Sequence, residues 1–349
     1  MFNMFLQSID KVAARLAATS VHTNTLGLAR SIIAASLLLT LLFNTPETLF
    51  RPAGVANEIL SQTDTLYFNK INFFNLLPFA WFNWLRAVAI IVLIVVIAGW
   101  RPKYTCILHA WIAISFTNAA IIIEGGDQIA ANLSLLLVPI CLTDNRSSHW
   151  DTTPAEGTFR KEKNLVATFF YWLIRLQVAL IYFHAAIGKM PMAEWANGTA
   201  VYYWFNDPVF GMTPLIRTVL DPVLKNAVGV VLITWGVLLL EILLFMTLVM
   251  SKKHWKPFLV AGIFFHLSII VVHGLFSFFL SMAGALILLV GRVDTNFTPW
   301  RLSWRKAVAY KFKFTSQRPA ENPSVPALSY PPAPNGTAHQ EYASHLPEN

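Results

Sequence analysis

The chain is poor in charge. Asp, Glu, Lys and Arg make up 13% of its 349 residues, about half of the roughly 25% that soluble domains carry. That shortage excludes an ordinary soluble enzyme, because 56% of the chain is hydrophobic and too few charges remain to cover it. Cysteine is scarce too. Only Cys106 and Cys141 occur, both inside apolar runs. Two such residues make neither a disulfide scaffold nor a thiolate metal site and read as packing residues. No His-Glu-x-x-His, Gly-x-Ser-x-Gly or phosphate-binding glycine loop occurs, so no metalloprotease, α/β-hydrolase or nucleotide motif is present. Two intramembrane histidines, His266 and His273, fall seven apart on one helix. Axial haem ligands normally approach from opposite sides, so haem is not expected, and no metal site is. The net charge of +8 does not gather in a soluble patch, and no nucleic-acid partner is expected.

What is present is a series of long apolar runs, rich in Phe and Trp. Runs of about 18 apolar residues suggest membrane spans. The expected fold is an all-α polytopic membrane protein with about eight transmembrane helices plus interfacial or re-entrant segments. The helices are expected near 27–43, 84–100, 104–123, 128–143, 166–189, 227–250, 257–273 and 274–290. The first run has no small-residue cleavage site and reads as a retained helix. Residues 257–290 as one helix would span about 51 Å, against a bilayer core of about 30 Å. The pair His273-Gly274 is the natural break.

Charge gives the orientation. Lys11 and Arg15, Arg101 and Lys103, Arg160 to Lys163, Lys252 to Lys256, and Arg301 to Lys306 fall in alternate connections of an eight-helix map. Basic loops stay inside, so both termini are expected to be cytoplasmic, in a multi-pass protein of the cell membrane. Four segments follow: an N-terminal arm over 1–24, a transmembrane domain over 25–292, a basic juxtamembrane segment over 293–316 that meets membrane lipid, and a Pro-rich disordered tail over 317–349. The outer segments 44–83 and 190–226 carry the aromatics expected at an interface or around a cavity.

Polar residues inside spans are costly and face protein or a water-filled cavity. Asp127 and Gln128 open the fourth helix, and His184 and Lys189 close the fifth. His273 ends the seventh, with Glu241 and His266 deeper. This topology gathers them under the outer face. Gln177 and His184, and His266 and His273, each lie two turns apart and share a face. Asp127 is also well placed simply to cap a helix, Lys189 to reach the interface, and Arg175 to snorkel to the opposite one. A desolvated lysine, by contrast, can serve as a base or nucleophile. Gly188 lets a ligand approach it. Trp195, Tyr202, Tyr203 and Trp204 follow as the roof and substrate-facing wall of such a pocket, with Glu241 and His273 beside them.

Three stretches together carry a resemblance: GLARSIIAASLLLTLLFNTPETLFRP (27–52), EGGDQIAANLSLLLVPICLTDNRSSHW (124–150) and YFHAAIGKMPMAEWANGTAVYYWF (182–205). From about residue 25 to 292 the chain resembles the SdpB-like membrane proteins. These mature a secreted sporulation-delaying peptide toxin together with an SdpA-like protein. That family shares a transmembrane domain with vitamin K-dependent γ-glutamyl carboxylase. Tyr182, Phe183, Ala185, Ala186, Lys189 and Trp195 are similar to the carboxylase element whose lysine deprotonates the reduced quinone. The resemblance therefore implies a base at Lys189, a reduced lipid quinone of the vitamin K type as cofactor, and a site facing outward. FFHLSII (264–270) is similar to another element and implies His266 beside the same cavity. Asp127-Gln128 is the nearest counterpart of the carboxylase's asparagine-histidine element, while Gly188 stands where the carboxylase has a second lysine. Two classes stay open. One is an enzyme subunit, carboxylase-like, acting on a toxin precursor at the outer membrane face. The other is a non-catalytic chaperone or exporter presenting that precursor to a partner.

Overall fold

The computed structural model describes residues 20–50, 71–153 and 160–297, with a few positions of the arm before them. The tail 317–349, most of the juxtamembrane segment, most of the arm and residues 51–70 lie outside the described residues.

The described residues form helices: α1 (Asn24–Phe43), α2 (Phe82–Ala98), α3 (Pro102–Ala119), α4 (Gly125–Leu142), α5 (Arg160–Lys189), α6 (Pro214–Leu224), α7 (Ala227–Met246), α8 (Trp255–His273) and α9 (Phe276–Val290). A helix stands at each of the eight positions read from the sequence. Five are long and apolar enough to cross a membrane: Asn24–Phe43, Gly125–Leu142, Arg160–Lys189, Ala227–Met246 and Lys252–His273. The helices α2 and α9 are apolar but shorter. The 190–226 segment, where interfacial or re-entrant pieces are expected, forms short helices at Ala193–Ala196 and Ala200–Phe205, then α6.

Local chemistry sets the ends. Thr23 caps α1 through its Oγ1, which accepts from Leu26 N, and it also donates to Val293 O at 2.7 Å. Gly99 ends α2 at φ 85° and Gly274 ends α8 at φ 72°. Both are left-handed positions that glycine fills without strain. The turn at Gly274 is the break expected at His273-Gly274.

The centre of the bundle is α1 against α9. Every residue from Ser281 to Val290 except Ile287 is buried. Small residues let the two backbones close. A Cβ on Gly284 would stand 3.1 Å from Ala29 O, with Ile33 nearer still. Ser36 and Ser281 hydrogen-bond across this seam at 2.7 Å. The helices α7 and α8 lie at the periphery. Only 22% of the apolar window of each is buried, against 56% for α1. Their outward faces are made for lipid or for a partner.

Two arginines are buried without an acid. Arg175, on α5, is 1% exposed. Its Nε donates to Leu289 O at 3.0 Å and Nη2 to Thr247 O at 3.3 Å, and its guanidinium lies between the rings of Trp172 and Trp255 at 4.5 and 4.3 Å. It does not snorkel. The carbonyls at the C-terminal ends of α7 and α9 supply the negative partial charge, and the flat guanidinium fits the two rings. Arg30, on α1, donates to Thr105 Oγ1 at 2.8 Å and to His149 Nδ1 at 3.2 Å.

His149 belongs to the connection between α4 and α5, and that connection is folded into the bundle. Arg146 pairs with Asp144 at 2.7 Å, both buried, and donates to Asp151 O at 2.6 Å. Since Arg30 can only donate, His149 accepts at Nδ1 and carries its proton on Nε2, facing Ser31 Oγ at 3.2 Å. Burial, then Arg30 and Arg146, push His149 down to about 3, below its ordinary value of about 6.5. Between those values the unfolded chain takes up a proton that the folded chain refuses, so stability is lost as pH falls from about 6.5 towards 3. Thermal unfolding of the purified protein between pH 7.5 and 5.0 should show this fall. His149→Gln, which keeps one acceptor and one donor, should flatten the slope. Equal slopes in the two proteins would refute the assignment.

Candidate functional site

The C-terminal ends of α5 and α8 and the start of α4 lie at one end of the bundle, together with the 190–226 segment. A cavity of about 490 Å³ opens there. Its walls are mostly aliphatic and aromatic, and its polar groups are few. Tyr182, Ala185 and Lys189 reach it from α5, Glu241 from α7, His266 and His273 from α8, and Trp195, Val201, Trp204 and Phe205 from the intervening segment.

Helical geometry explains who is present. Residues 182, 185 and 189 share one face of α5, at spacings of three, four and seven. Residues 201, 204 and 205 do the same on the short helix Ala200–Phe205. His266 and His273 both reach the cavity, as their spacing of seven implies. His184 does not. It lies two residues from Tyr182, about 200° around the helix, and is exposed. The face it shares with Gln177 is a different one. Gln128, Tyr202 and Tyr203 are exposed as well. Tyr203 instead lines a separate shallow hollow with Glu194 and Asp207.

Lys189 closes the cavity with an ion pair. Its Nζ donates to Glu241 Oε1 and lies 5.2 Å from the centroid of the Trp195 ring. The lysine side chain is 25% exposed and the glutamate 5%, so the pair bridges the mouth and the interior. Trp195 is held by its own backbone, since its carbonyl accepts from Trp235 Nε1 at 3.2 Å. Deeper in, Tyr182 Oη and His266 Nε2 are 3.0 Å apart. His266 packs against the rings of Phe265 and Phe278 at 4.8 and 5.6 Å. Its Nδ1 and the Oε2 of Glu241 are buried with no hydrogen-bond partner. Buried polar atoms normally find partners, and both residues that carry these two orphans line the same apolar cavity. At the rim His273 Nδ1 donates to Phe210 O at 2.5 Å, tying α8 to the 190–226 segment.

Asp127 lines a neighbouring cavity of about 730 Å³, formed by the end of α1, the start of α4 and the start of α9. The two cavities share Leu275. Glu124 N donates to Asp127 Oδ2 at 3.1 Å, so Asp127 closes the first turn of α4. The helix starts at Gly125, three residues before the expected 128, and Asp127 caps from inside it. Gly126 is pressed on Phe278, where a Cβ would come within 2.7 Å of the Cα. That close approach is what the Gly125-Gly126 pair is for. Gly188, by contrast, faces open space. Among the described residues no cluster of His, Cys, Asp and Glu suited to a metal ion occurs.

The polar groups that the sequence reading left without a role are those of the DNRSSHW connection and Tyr182. The second was legible from its spacing to Lys189. The first needs Arg30, which is distant in sequence.

The ion pair can be tested without knowing any substrate. Breaking a buried pair leaves an uncompensated charge, a cost of up to about 3–5 kcal/mol. Lys189→Met should destabilise the protein towards that range, and Lys189→Met/Glu241→Leu should recover most of it in chemical unfolding. A double variant as unstable as the single one would rule out the pair as the source.

Residues 20–290 match the HTTM domain family. The chain is 39% identical over 307 residues to the uncharacterized protein YitO of Bacillus subtilis (strain 168), covering 86% of this chain and 97% of that one. It is 36% identical over 277 residues to the sporulation-delaying protein SdpB of the same organism, covering 79% of this chain and 83% of SdpB. No solved structure matches it.

Proposed function

Because the chain belongs to the HTTM-domain family and is a relative of the sporulation-delaying protein SdpB, we propose that it is a membrane component of a system that matures a secreted peptide toxin. The observation that carries the reading is the Lys189–Glu241 pair in the wall of an apolar, aromatic-lined cavity. An amine and a carboxylate in contact share one proton. Passing it from Nζ to Glu241 leaves a neutral amine beside a neutral acid, with no charge lost or gained. The neutral amine is then the base. Trp195 and Trp204 limit access of water to it, and the Tyr182–His266 contact fixes the far wall.

A reduced lipid quinone fits this cavity. The aromatic and aliphatic walls would hold its ring system, and Lys189, Glu241 and His266 are the polar side chains that would hold its oxygens. When bound, such a group supplies reducing equivalents and an acidic hydroxyl. The chain's own part is to hold it and to accept a proton at Lys189. The natural partners are an SdpA-like protein and the toxin precursor. The exposed faces of α7 and α8, and His184 on α5, are surfaces open to them. The working unit is the 25–292 domain.

If Lys189 is the base, Lys189→Arg keeps the charge but supplies no neutral amine. Removal of a general base costs about 10²–10⁴ in rate. Mass spectrometry of the secreted peptide should show loss of the mature form with Lys189→Arg and Lys189→Ala alike, while both variants accumulate in the membrane. Near-normal maturation with Lys189→Arg would favour a non-catalytic chaperone that presents the precursor. Arg175→Lys is no neutral control here, because a lysine cannot lie between two rings as the guanidinium does.

We also propose eight crossings with both termini in the cytoplasm and the 190–226 segment outside, on the strength of the alternating basic loops. A membrane-impermeant thiol reagent added to intact cells should label Thr213→Cys and miss Ser251→Cys, against a background of buried Cys106 and Cys141. Labelling of Ser251→Cys would overturn this orientation.

A further inference from the structure

We propose that the second cavity, between the end of α1 and the starts of α4 and α9, is a binding site for a primary ammonium group on an apolar stem. Four observations combine. The cavity measures about 730 Å³ and is lined largely by apolar side chains. Among the described residues its charged groups are two carboxylates, Glu124 and Asp127, with no Lys, Arg or His in the lining. Asp127 is 6% exposed and its Oδ1 has no hydrogen-bond partner. Thr40, Asn44 and Ser277 add further oxygen atoms to the wall.

The capping role of Asp127 does not account for this arrangement. Capping uses Oδ2 alone, which accepts from Glu124 N at 3.1 Å. Glu124 receives the Ser277 hydroxyl at Oε1. Those bonds place Glu124 and Asp127 one turn apart at the head of α4, both in the wall of the cavity, with one oxygen of Asp127 buried there and left unpaired. A buried carboxylate oxygen without a partner is costly, and a cationic donor satisfies it best. An ammonium group brings three donors, enough for Asp127 Oδ1 and two neighbouring oxygens. The apolar walls then suit an aliphatic stem. A trimethylated cation, which donates nothing, would leave Oδ1 unpaired.

The site goes beyond the reading of Lys189, and neither depends on the other. It lies beside the Lys189 cavity, separated by Leu275 and by Phe278 on Gly126.

The probe is n-hexylammonium, titrated calorimetrically into the full chain in phosphatidylcholine nanodiscs, with 1-hexanol as the uncharged comparison. A hydrogen bond to a charged group is worth enough to expect at least about tenfold tighter binding of the ammonium than of the alcohol. Asp127→Asn keeps a carbonyl oxygen for the Glu124 amide, and so the helix cap, while removing the charge. It should abolish the preference. Glu124→Gln, which leaves the orphaned oxygen in place, should weaken it less. Thermal unfolding of each variant confirms that it is folded.

Two sources share this chemistry, the amino group of an apolar peptide and the ethanolamine head of a phospholipid. Competition separates them. An N-acetylated Leu-Leu-Lys-Leu-Leu peptide is added in one arm, and phosphatidylethanolamine replaces part of the nanodisc lipid in the other. Displacement of hexylammonium by either one supports the site and identifies the bearer. Displacement by neither, equal binding of hexanol, or a preference that survives Asp127→Asn would overturn the proposal. Loss of toxin maturation in Lys189→Arg with hexylammonium binding intact would separate this site from the base.

Discussion

The constraint on which the bundle turns is that a charge placed among apolar helices must meet a partner inside the protein. The chain meets it in three ways. Lys189 takes a carboxylate, Glu241. Arg175 takes two carbonyls at helix ends and two indole rings. Arg30 takes a neutral imidazole and a threonine hydroxyl. Each solution draws in a different set of elements. Lys189 joins α5 to α7. Arg175 joins α5 to the ends of α7 and α9 and to the start of α8. Arg30 joins α1 to α3 and to the connection after α4. Between them they tie most of the helices, and none could be replaced by the others, because their partners differ in kind.

The two ends of the bundle differ for the same reason. At the Arg30 and Arg146 end the connection after α4 is packed into the core by side-chain and backbone hydrogen bonds, although Arg30 Nε and His109 Nε2 have no hydrogen-bond partner. At the Lys189 end three buried polar atoms, on Asp127, Glu241 and His266, have none. Cavities occur at that end, and the 190–226 segment beside them is made of short helices.

Much of this was legible in the sequence, and the limits have physical causes. Hydropathy and length place the helices, and the His273-Gly274 break follows from the bilayer's thickness. Five helices meet the requirement for crossing by length and composition, because α2 and α9 are short and α3 carries polar residues along its length. Topology put Lys189, Glu241, His266 and His273 towards one end of the bundle, and they do line one cavity with Trp195 and Trp204. It failed for His184, Gln128, Tyr202 and Tyr203, where position near the end of a helix stood in for knowledge of its face. For Asp127 the end was right and the cavity was the neighbouring one. The partnering of Arg175 was not legible, since backbone carbonyls leave no trace in a sequence.

The Arg175 clamp has a consequence for how the chain is made. The carbonyls that receive its guanidinium belong to Thr247 and Leu289, 72 and 114 residues further along. At a synthesis rate of about 5–20 residues per second, the second of them emerges roughly 6–23 s after the arginine. An arginine at the centre of a lone membrane helix is opposed by about 2.5–3.5 kcal/mol. Through that interval α5 has no finished seat, and only the arrival of α9 completes one. The last of the described helices to be synthesised is thus the latch on the fifth.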